Sequence, residues 1–346
     1  MKKTILTIVQ YLLFLGFGIF LVWWSIHKMD DKNWEECKAA FKSARYYLFI
    51  PVFFILLASH VSRAMRWRIL MISLGYRPGL LNTFFAVMVG YLANLAIPRL
   101  GEVLKCTILG KYEKVPADKL VGTILVERAV DVVSLLIVFI IAVFTQLDII
   151  GVYATQTVNT LFFSGNKLLM VVKLVVLISV LVIGYLLLRF IFKKYSNIGF
   201  IKKLHTLFNG VGAGLASIKN LQNKKGFIFH SIFIWVCYAA GTYIGFFVIA
   251  ETSHLPIAAT FPVLAFASVG MIITPGGIGT YQLFIMEVMH LYGIDKGHGY
   301  ANGILQWVAQ FSIVLLVGFI SLIILPYYNR NTNKTPLADQ ESGRVT

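Results

Sequence analysis

Six apolar runs of about 20 residues limit what this chain can fold into. An α-helix rises about 1.5 Å per residue, so about 20 residues cross the roughly 30 Å hydrocarbon core of a bilayer. Such runs fall at about 5–26, 47–70, 118–146, 167–192, 226–250 and 299–325. They are too many to hide in a water-soluble core. Hydrophobic residues make up 58% of the 346 residues and charged residues 13%, against about 25% charged in a soluble domain. The fold class expected is all-α: a polytopic transmembrane helical bundle, one domain over 1–326, with a polar, disordered cytoplasmic tail over 327–346. Lys2 and Lys3 precede the first run. It is longer than a signal-peptide core and lacks a small-x-small cleavage site, so it reads as a retained span.

Two further apolar stretches, about 80–112 and 256–293, are interrupted in the middle. The first reads G-Y-L-A-N-L-A-I-P-R-L-G-E-V-L-K over 90–105, and the second V-G-M-I-I-T-P-G-G-I-G-T-Y-Q over 269–282. Proline removes a backbone donor and disrupts the turn before it, and glycine admits conformations closed to other residues. The breaks therefore centre on Pro98 and Gly101 in one stretch and on Pro275, Gly276, Gly277 and Gly279 in the other. Broken backbone at bilayer depth must be buried in protein or line a polar cavity, so both stretches are expected to form re-entrant hairpins, the alternative being kinks between full spans.

Lysine and arginine set the orientation. Basic residues concentrate at Lys2–Lys3, Arg66–Arg77, Lys111–Lys119, Lys193–Lys203, Lys219–Lys225 and Arg330–Arg344, whereas the loops around 147–166, 251–255 and 294–298 hold almost none. Both ends are thus expected inside, with the two hairpins entering from opposite sides. Opposed broken helices in the two halves of a chain point to an inverted-repeat transporter. The stretch 196–221 repeats apolar residues at helical spacing between lysines, as in an amphipathic helix lying in the cytoplasmic interface.

The formal net charge is +16. On a soluble chain that would suggest nucleic acid. Here the basic residues sit in short loops, where they meet anionic lipid headgroups, so no nucleic-acid partner is expected. Cys37, Cys106 and Cys237 have no metal-ligand spacing and the seven histidines are scattered. No metal, cofactor or catalytic residue is assigned, and no G-x-x-x-x-G-K-[ST] nucleotide motif is present.

Charge inside the spans is the chemical signal. Glu127, Arg128 and Asp131 lie about 14–20 Å into the span that starts near 118. Arg99, Glu102 and Lys105 sit at and just after the first break. Each charge at mid-membrane costs at least about 2.5–3.5 kcal/mol, so each needs a partner or a cavity. Glu102 with Arg128, and Arg99 with Glu127 or Asp131, are the expected cross-helix pairs. Such a network can form a site, a structural lock, or both. Tyr281 and Gln282 follow the second break as candidate cavity residues. Arg63, Arg66, Trp67 and Arg68 read as interface anchors, with Arg63 and Arg66 as candidate headgroup contacts.

At these residues the chain resembles the lysylphosphatidylglycerol synthase transmembrane region family, the flippase-like integral membrane proteins. The likeness rests on R-A-M-R-W-R at 63–68, P-R-L-G-E at 98–102, V-E-R-A-V-D at 126–131 and T-P-G-G-I-G at 274–279. It carries over Arg99, Gly101, Glu102, Glu127, Arg128, Asp131, Pro275, Gly276, Gly277 and Gly279. It implies a bilayer domain that moves a lipid headgroup between leaflets, in the plasma or inner membrane of a bacterium or archaeon. Relatives often carry an acidic residue where this chain has Gln282. Only a short tail follows Pro326, so the aminoacyl-transferase activity of some relatives is not implied. The expected function is a flippase for a lipid or lipid-linked glycan with an anionic or polar headgroup. The alternatives are an integral-membrane lipid-modifying enzyme, or a scaffold for a separate lipid- or glycan-modifying enzyme.

Overall fold

The structure is a computed structural model that describes residues 16–25, 27, 29–97, 99–146, 219 and 221–330. The expected span at 167–192, nearly all of the expected amphipathic helix at 196–221, the start of the first span, Pro98 and the tail from 331 lie outside the described residues. Among the described residues all regular structure is helical, with no strand. We number the helices α1 (Gly16–Ser25), α2 (Asp31–Ser43), α3 (Phe49–Ile72), α4 (Leu80–Ala96), α5 (Leu100–Glu113), α6 (Ala117–Thr145), α7 (Lys224–Phe246), α8 (Thr260–Ile273), α9 (Thr280–Leu291) and α10 (Lys296–Tyr328). Three segments, Tyr46–Ile72, Lys224–Phe246 and Lys296–Tyr328, are long and apolar enough to cross a membrane by length and composition. The last helix runs through Pro326, past the boundary expected there. A proline this close to a helix end removes one ladder hydrogen bond and leaves the helix otherwise intact.

Both expected breaks separate two helical legs. Between α4 and α5 the chain turns through Ile97 and Arg99, and Arg99 caps α5 in the left-handed conformation at φ 68°. Between α8 and α9, Pro275–Gly277 form a short 3₁₀ turn in which Gly276 and Gly277 have φ 64° and 73°, and Gly279 caps α9 at φ 81°. These three glycines occupy backbone positions that a side chain disfavours. The two turns meet, since a Cβ on Gly276 would lie 3.8 Å from Leu95.

The two broken pairs correspond at a spacing of 180 residues. Leu80 and Thr260 open the first legs, and Arg99 and Gly279 cap the second. Gly90 packs on Gly101 where the legs of the first pair cross, and Gly270 packs on Tyr281 in the second. A Cβ on Gly101 would run into the Gly90 carbonyl oxygen, and one on Gly270 would lie 2.9 Å from Tyr281 Cα. Contacts between elements obey the same correspondence. Helix α4 packs on α10 as α8 packs on α6, and α3 and α7 pack on each other.

The halves run in opposite directions. Arg45 N donates to Val248 O (2.8 Å) at the start of α3 and end of α7, while Gln222 N donates to Ser73 Oγ (3.2 Å) at the other ends. Helix α4 starts beside the end of α10, where Asn82 and Asn329 exchange amide hydrogen bonds of 2.8 and 2.9 Å. Helix α6 ends beside the entry to α8, where Gln146 Nε2 donates to Ala258 O (3.2 Å). The bundle therefore has an Asn82 end and a Val248 end, and each broken pair starts and finishes at one of them.

The apolar interior is layered between those ends. Trp67, Met71, Leu109, Leu120 and Phe227 cluster toward Asn82, and Cys37, Ile249, Tyr300 and Leu305 toward Val248. Outward faces stay apolar: Leu136, Ile140, Phe144, Phe319 and Ile323 are each more than half exposed. Apolar surface on that scale suits contact with lipid. In that setting close van der Waals packing, rather than burial from water, holds helices together, and small residues at crossings such as Gly90 and Gly101 serve it.

Candidate functional site

Helix α3 presents Arg63 and Arg66 one turn apart, and α6 presents Glu127 and Asp131 one turn apart. Residues at i,i+3 and i,i+4 share a helix face, and these two faces meet. Arg63 Nη1 donates to Asp131 Oδ2 at 2.7 Å and to Glu127 Oε1 at 3.3 Å. Arg66 Nη2 donates to Asp131 Oδ1 at 2.7 Å and lies 3.8 Å from Glu127 Oε1. Lys105 of α5 donates to Glu127 Oε2 at 2.7 Å. The result is a buried five-residue network in which three cations face two carboxylates. Its side chains are 0–9% exposed except Asp131, at 18%.

Aromatic and hydroxyl groups fix these charges in place. Trp67 Nε1 donates to Thr123 Oγ1 (2.8 Å), and the Lys105 ammonium sits 4.5 Å from the centre of the Trp67 ring. Arg63 lies 5.9 Å from the Tyr91 ring centre and donates through Nη2 to the Tyr238 hydroxyl (3.2 Å). Tyr238 also borders a cavity of about 20 Å³ between α3, α7 and α10, room for a single water-sized molecule.

Not every donor finds an acceptor. Arg63 Nε, Arg66 Nε and Arg66 Nη1 are buried without a hydrogen-bond partner. Beside the network, Arg128 Nη2 pairs with Glu102 Oε1 at 3.0 Å, and these side chains are 48% and 32% exposed. Arg99 is exposed at the tip of the break.

Several expectations need correction here. The Glu102–Arg128 pair forms, but Arg99 pairs with neither Glu127 nor Asp131. The left-handed cap turns the chain at Arg99 and leaves the residue exposed, and α3 supplies the partners instead. Arg63 and Arg66 are not surface anchors at an interface: Arg66 is fully buried and Arg63 nearly so. Lys105 joins the network though it was no more than a neighbour of the break in sequence. The legible clue was the matched spacing of two arginines three apart with two carboxylates four apart.

The second break holds no charge. Tyr281 is buried and its hydroxyl accepts from Gln310 Nε2 (2.8 Å). Gln282 Oε1 accepts from Gly279 N (2.8 Å), closing the first turn of α9. The Gly276 carbonyl accepts from Trp307 Nε1 (2.6 Å). By the 180-residue correspondence Trp307 stands where Glu127 stands, and Phe311 where Asp131 stands. Tyr281 and Gln282 are thus separate from the ionic network.

At the Val248 end, Glu36, Asp295 and His298 bring ligand atoms within 4.8 Å of one another. Lys32 Nζ lies 3.4 Å from Glu36 and 3.9 Å from Asp295. The Lys32 ammonium already pairs with both carboxylates, and the group is a surface ion-pair network. Its members are far apart in sequence, which hid it. The three cysteines are free and buried.

A family model for the lysylphosphatidylglycerol synthase TM region matches residues 8–318. The chain is 22% identical over 352 residues to a UPF0104 membrane protein of Methanocaldococcus jannaschii, covering 94% of this chain and 95% of that one. No solved structure matches it at the same level of significance.

Proposed function

The chain belongs to the lysylphosphatidylglycerol synthase TM region family, and on that premise we propose that it is a multi-pass protein of the cell membrane that moves a lipid or lipid-linked headgroup between leaflets. The headgroup site is the network of Arg63, Arg66, Lys105, Glu127 and Asp131, entered past Arg99, Glu102 and Arg128. One observation carries this reading. A buried ionic network with unmet donors lies against one of two broken helices that enter from opposite ends and touch at their turns. Charge and irregular backbone are costly at bilayer depth and are kept there for binding and transport.

Charge at the two ends supports a cytoplasmic Asn82 end. Arg68, Arg77, Lys111, Lys114, Lys224, Lys225 and Arg330 gather there with Glu113, while at the Val248 end Lys32, Lys38, Lys42, Arg45 and Lys296 are outnumbered by Asp30, Asp31, Glu35, Glu36, Glu251, Glu287 and Asp295. The positive-inside rule then gives inverted re-entrant hairpins, one from each side.

The test is transbilayer movement of headgroup-labelled lipid in vesicles reconstituted with the full chain. The wild type is expected to speed loss of label from the inner leaflet, and Glu127→Gln to abolish that gain. Equal rates with and without protein would sink the reading. Co-purification of a soluble lipid- or glycan-modifying enzyme with a chain that moves nothing itself would favour a scaffold. Chelator-sensitive lipid turnover would favour an enzyme.

A further inference from the structure

We propose that the group bound at this network is a phosphate ester with net negative charge, and that the site disfavours a cationic aminoacylated headgroup. This rests on the transport reading for its location but is a separate claim about charge.

The first argument is the balance of charge. Arg63, Arg66 and Lys105 carry three positive charges, and Glu127 and Asp131 carry two negative ones. One positive charge is left without a buried counterion. A buried charge is tolerated when it is paired and hydrogen-bonded. A phosphodiester, with one negative charge, brings the sum to zero. A headgroup with net positive charge raises the excess to two.

The second argument is geometric. Arg66 is fully buried, yet its Nε and Nη1 have no acceptor, and neither has Arg63 Nε. Each guanidinium meets the carboxylates through one nitrogen, Nη1 of Arg63 and Nη2 of Arg66. The free Nε and Nη1 of Arg66 flank the Nη2 that holds Asp131, so each can give one charge-assisted hydrogen bond to a phosphate oxygen. Both carboxylates accept from two cations each, and the nearest further pair, Glu102 with Arg128, lies outside the buried network. Water or a ligand oxygen can accept from these groups, and a phosphate oxygen does so while also supplying the balancing charge.

The third argument is the route. Helix α5 is tied to α6 by the ion pairs Lys105–Glu127 and Glu102–Arg128. The second is half exposed, so an incoming phosphate can replace the Glu102 carboxylate on Arg128 before it reaches Arg63. The second break adds no carboxylate at the matching positions to attract a cationic headgroup: those that match Glu102, Glu127 and Asp131 are Gln282, Trp307 and Phe311. Gln282 Oε1 is already taken by Gly279 N.

The experiment compares ligands that differ in charge around one phosphate, on the full chain in detergent at fixed ionic strength, read by thermal unfolding across ligand titrations. Phosphatidylglycerol has one net negative charge. Lysyl-phosphatidylglycerol carries the same phosphate beneath two ammonium groups, and phosphatidylcholine is neutral. Phosphatidylglycerol is expected to bind about tenfold tighter than either, a preference worth about 1.4 kcal/mol. Arg66→Gln removes both the excess positive charge and the free Arg66 donors, and is expected to erase the preference. If that variant does not fold, Arg128→Gln at the exposed entrance is expected to weaken phosphatidylglycerol binding several-fold. Inorganic phosphate and glycerol 3-phosphate separate the sources. Competition by either supports a phosphate site open to soluble esters, and binding by the lipid alone supports a lipid headgroup site. Equal or tighter binding of lysyl-phosphatidylglycerol, or a preference that survives in Arg66→Gln, overturns the proposal. Transport and charge preference can fail independently. Vesicles that move lysyl-phosphatidylglycerol as fast as phosphatidylglycerol keep the transport reading and overturn this one. Vesicles that move neither, around a chain that still prefers the anionic lipid, do the reverse.

Discussion

Among the described residues Glu127 is shared by more cations than any other carboxylate. It accepts from Lys105 at 2.7 Å and from Arg63 at 3.3 Å, with Arg66 at 3.8 Å. Glu127→Gln leaves three buried cations with Asp131 alone. Removing one partner of a buried ion pair costs about 3–5 kcal/mol, so the variant is expected to unfold at markedly lower temperature in detergent as well as to lose transport. Arg128→Gln gives the opposite split. Its pair with Glu102 is 48% and 32% exposed, and such pairs contribute about 0–1 kcal/mol. Stability should be unchanged while headgroup movement slows. A large drop in melting temperature for Arg128→Gln would mean that the pair is a lock rather than an entrance. Charge at depth was legible in sequence, because Glu127 and Asp131 stand in an otherwise apolar run. Their partners were not. Which cation meets which carboxylate depends on the rotation of α3 against α6, and those helices are neighbours only in the folded chain.

At the scale of the element, the broken helices were legible from proline and glycine, and their partnership was not. Gly90 and Gly270, with Gly101 and Tyr281, mark equivalent crossings, but few residues are shared around them. The repeat is kept in backbone geometry: a small residue where the legs cross and a positive φ at the cap. Two glycines in adjacent helices separate packing from propensity. Gly101→Ala places a methyl on the Gly90 carbonyl and is expected to cost more than the roughly 1–3 kcal/mol of ordinary overpacking, since a helix backbone cannot step aside. Gly122→Ala in α6 meets nothing within 4 Å, and should leave stability unchanged or raise it by up to about 1 kcal/mol, as alanine does in an open helix. Melting curves of the two variants that coincide would contradict the close crossing of α4 and α5. Arg99→Gly tests the cap. A non-glycine residue in the left-handed region costs roughly 1–2 kcal/mol, and Gly279 occupies the matching position without that cost. The variant should melt higher and transport more slowly, which would identify strain held for function.

At the scale of the whole molecule, antiparallel packing of α3 with α7 places the loops that follow them at opposite ends of the bundle. Residues 73–79 leave α3 at the Asn82 end, and residues 247–259 leave α7 at the Val248 end. On the proposed reading, in which α3 and α7 both cross the bilayer, these loops face opposite compartments. Lysine and arginine counts choose the compartment, and the helix directions fix the opposition, so two independent lines bear on one topology. Single cysteines can read it, because Cys37, Cys106 and Cys237 are all buried and should give little background. Arg77 and His254 are both exposed, one on each loop. With a membrane-impermeant maleimide on intact cells, His254→Cys should label at once and Arg77→Cys only after permeabilisation. The reverse pattern would invert the insertion but keep the two halves opposed. Labelling of both from one side would mean that the halves do not face opposite compartments, and the broken pairs could then not present their shared turn to both leaflets in turn. The ionic network would survive that outcome as a structural lock on α3, α5 and α6, without a path for a headgroup through it.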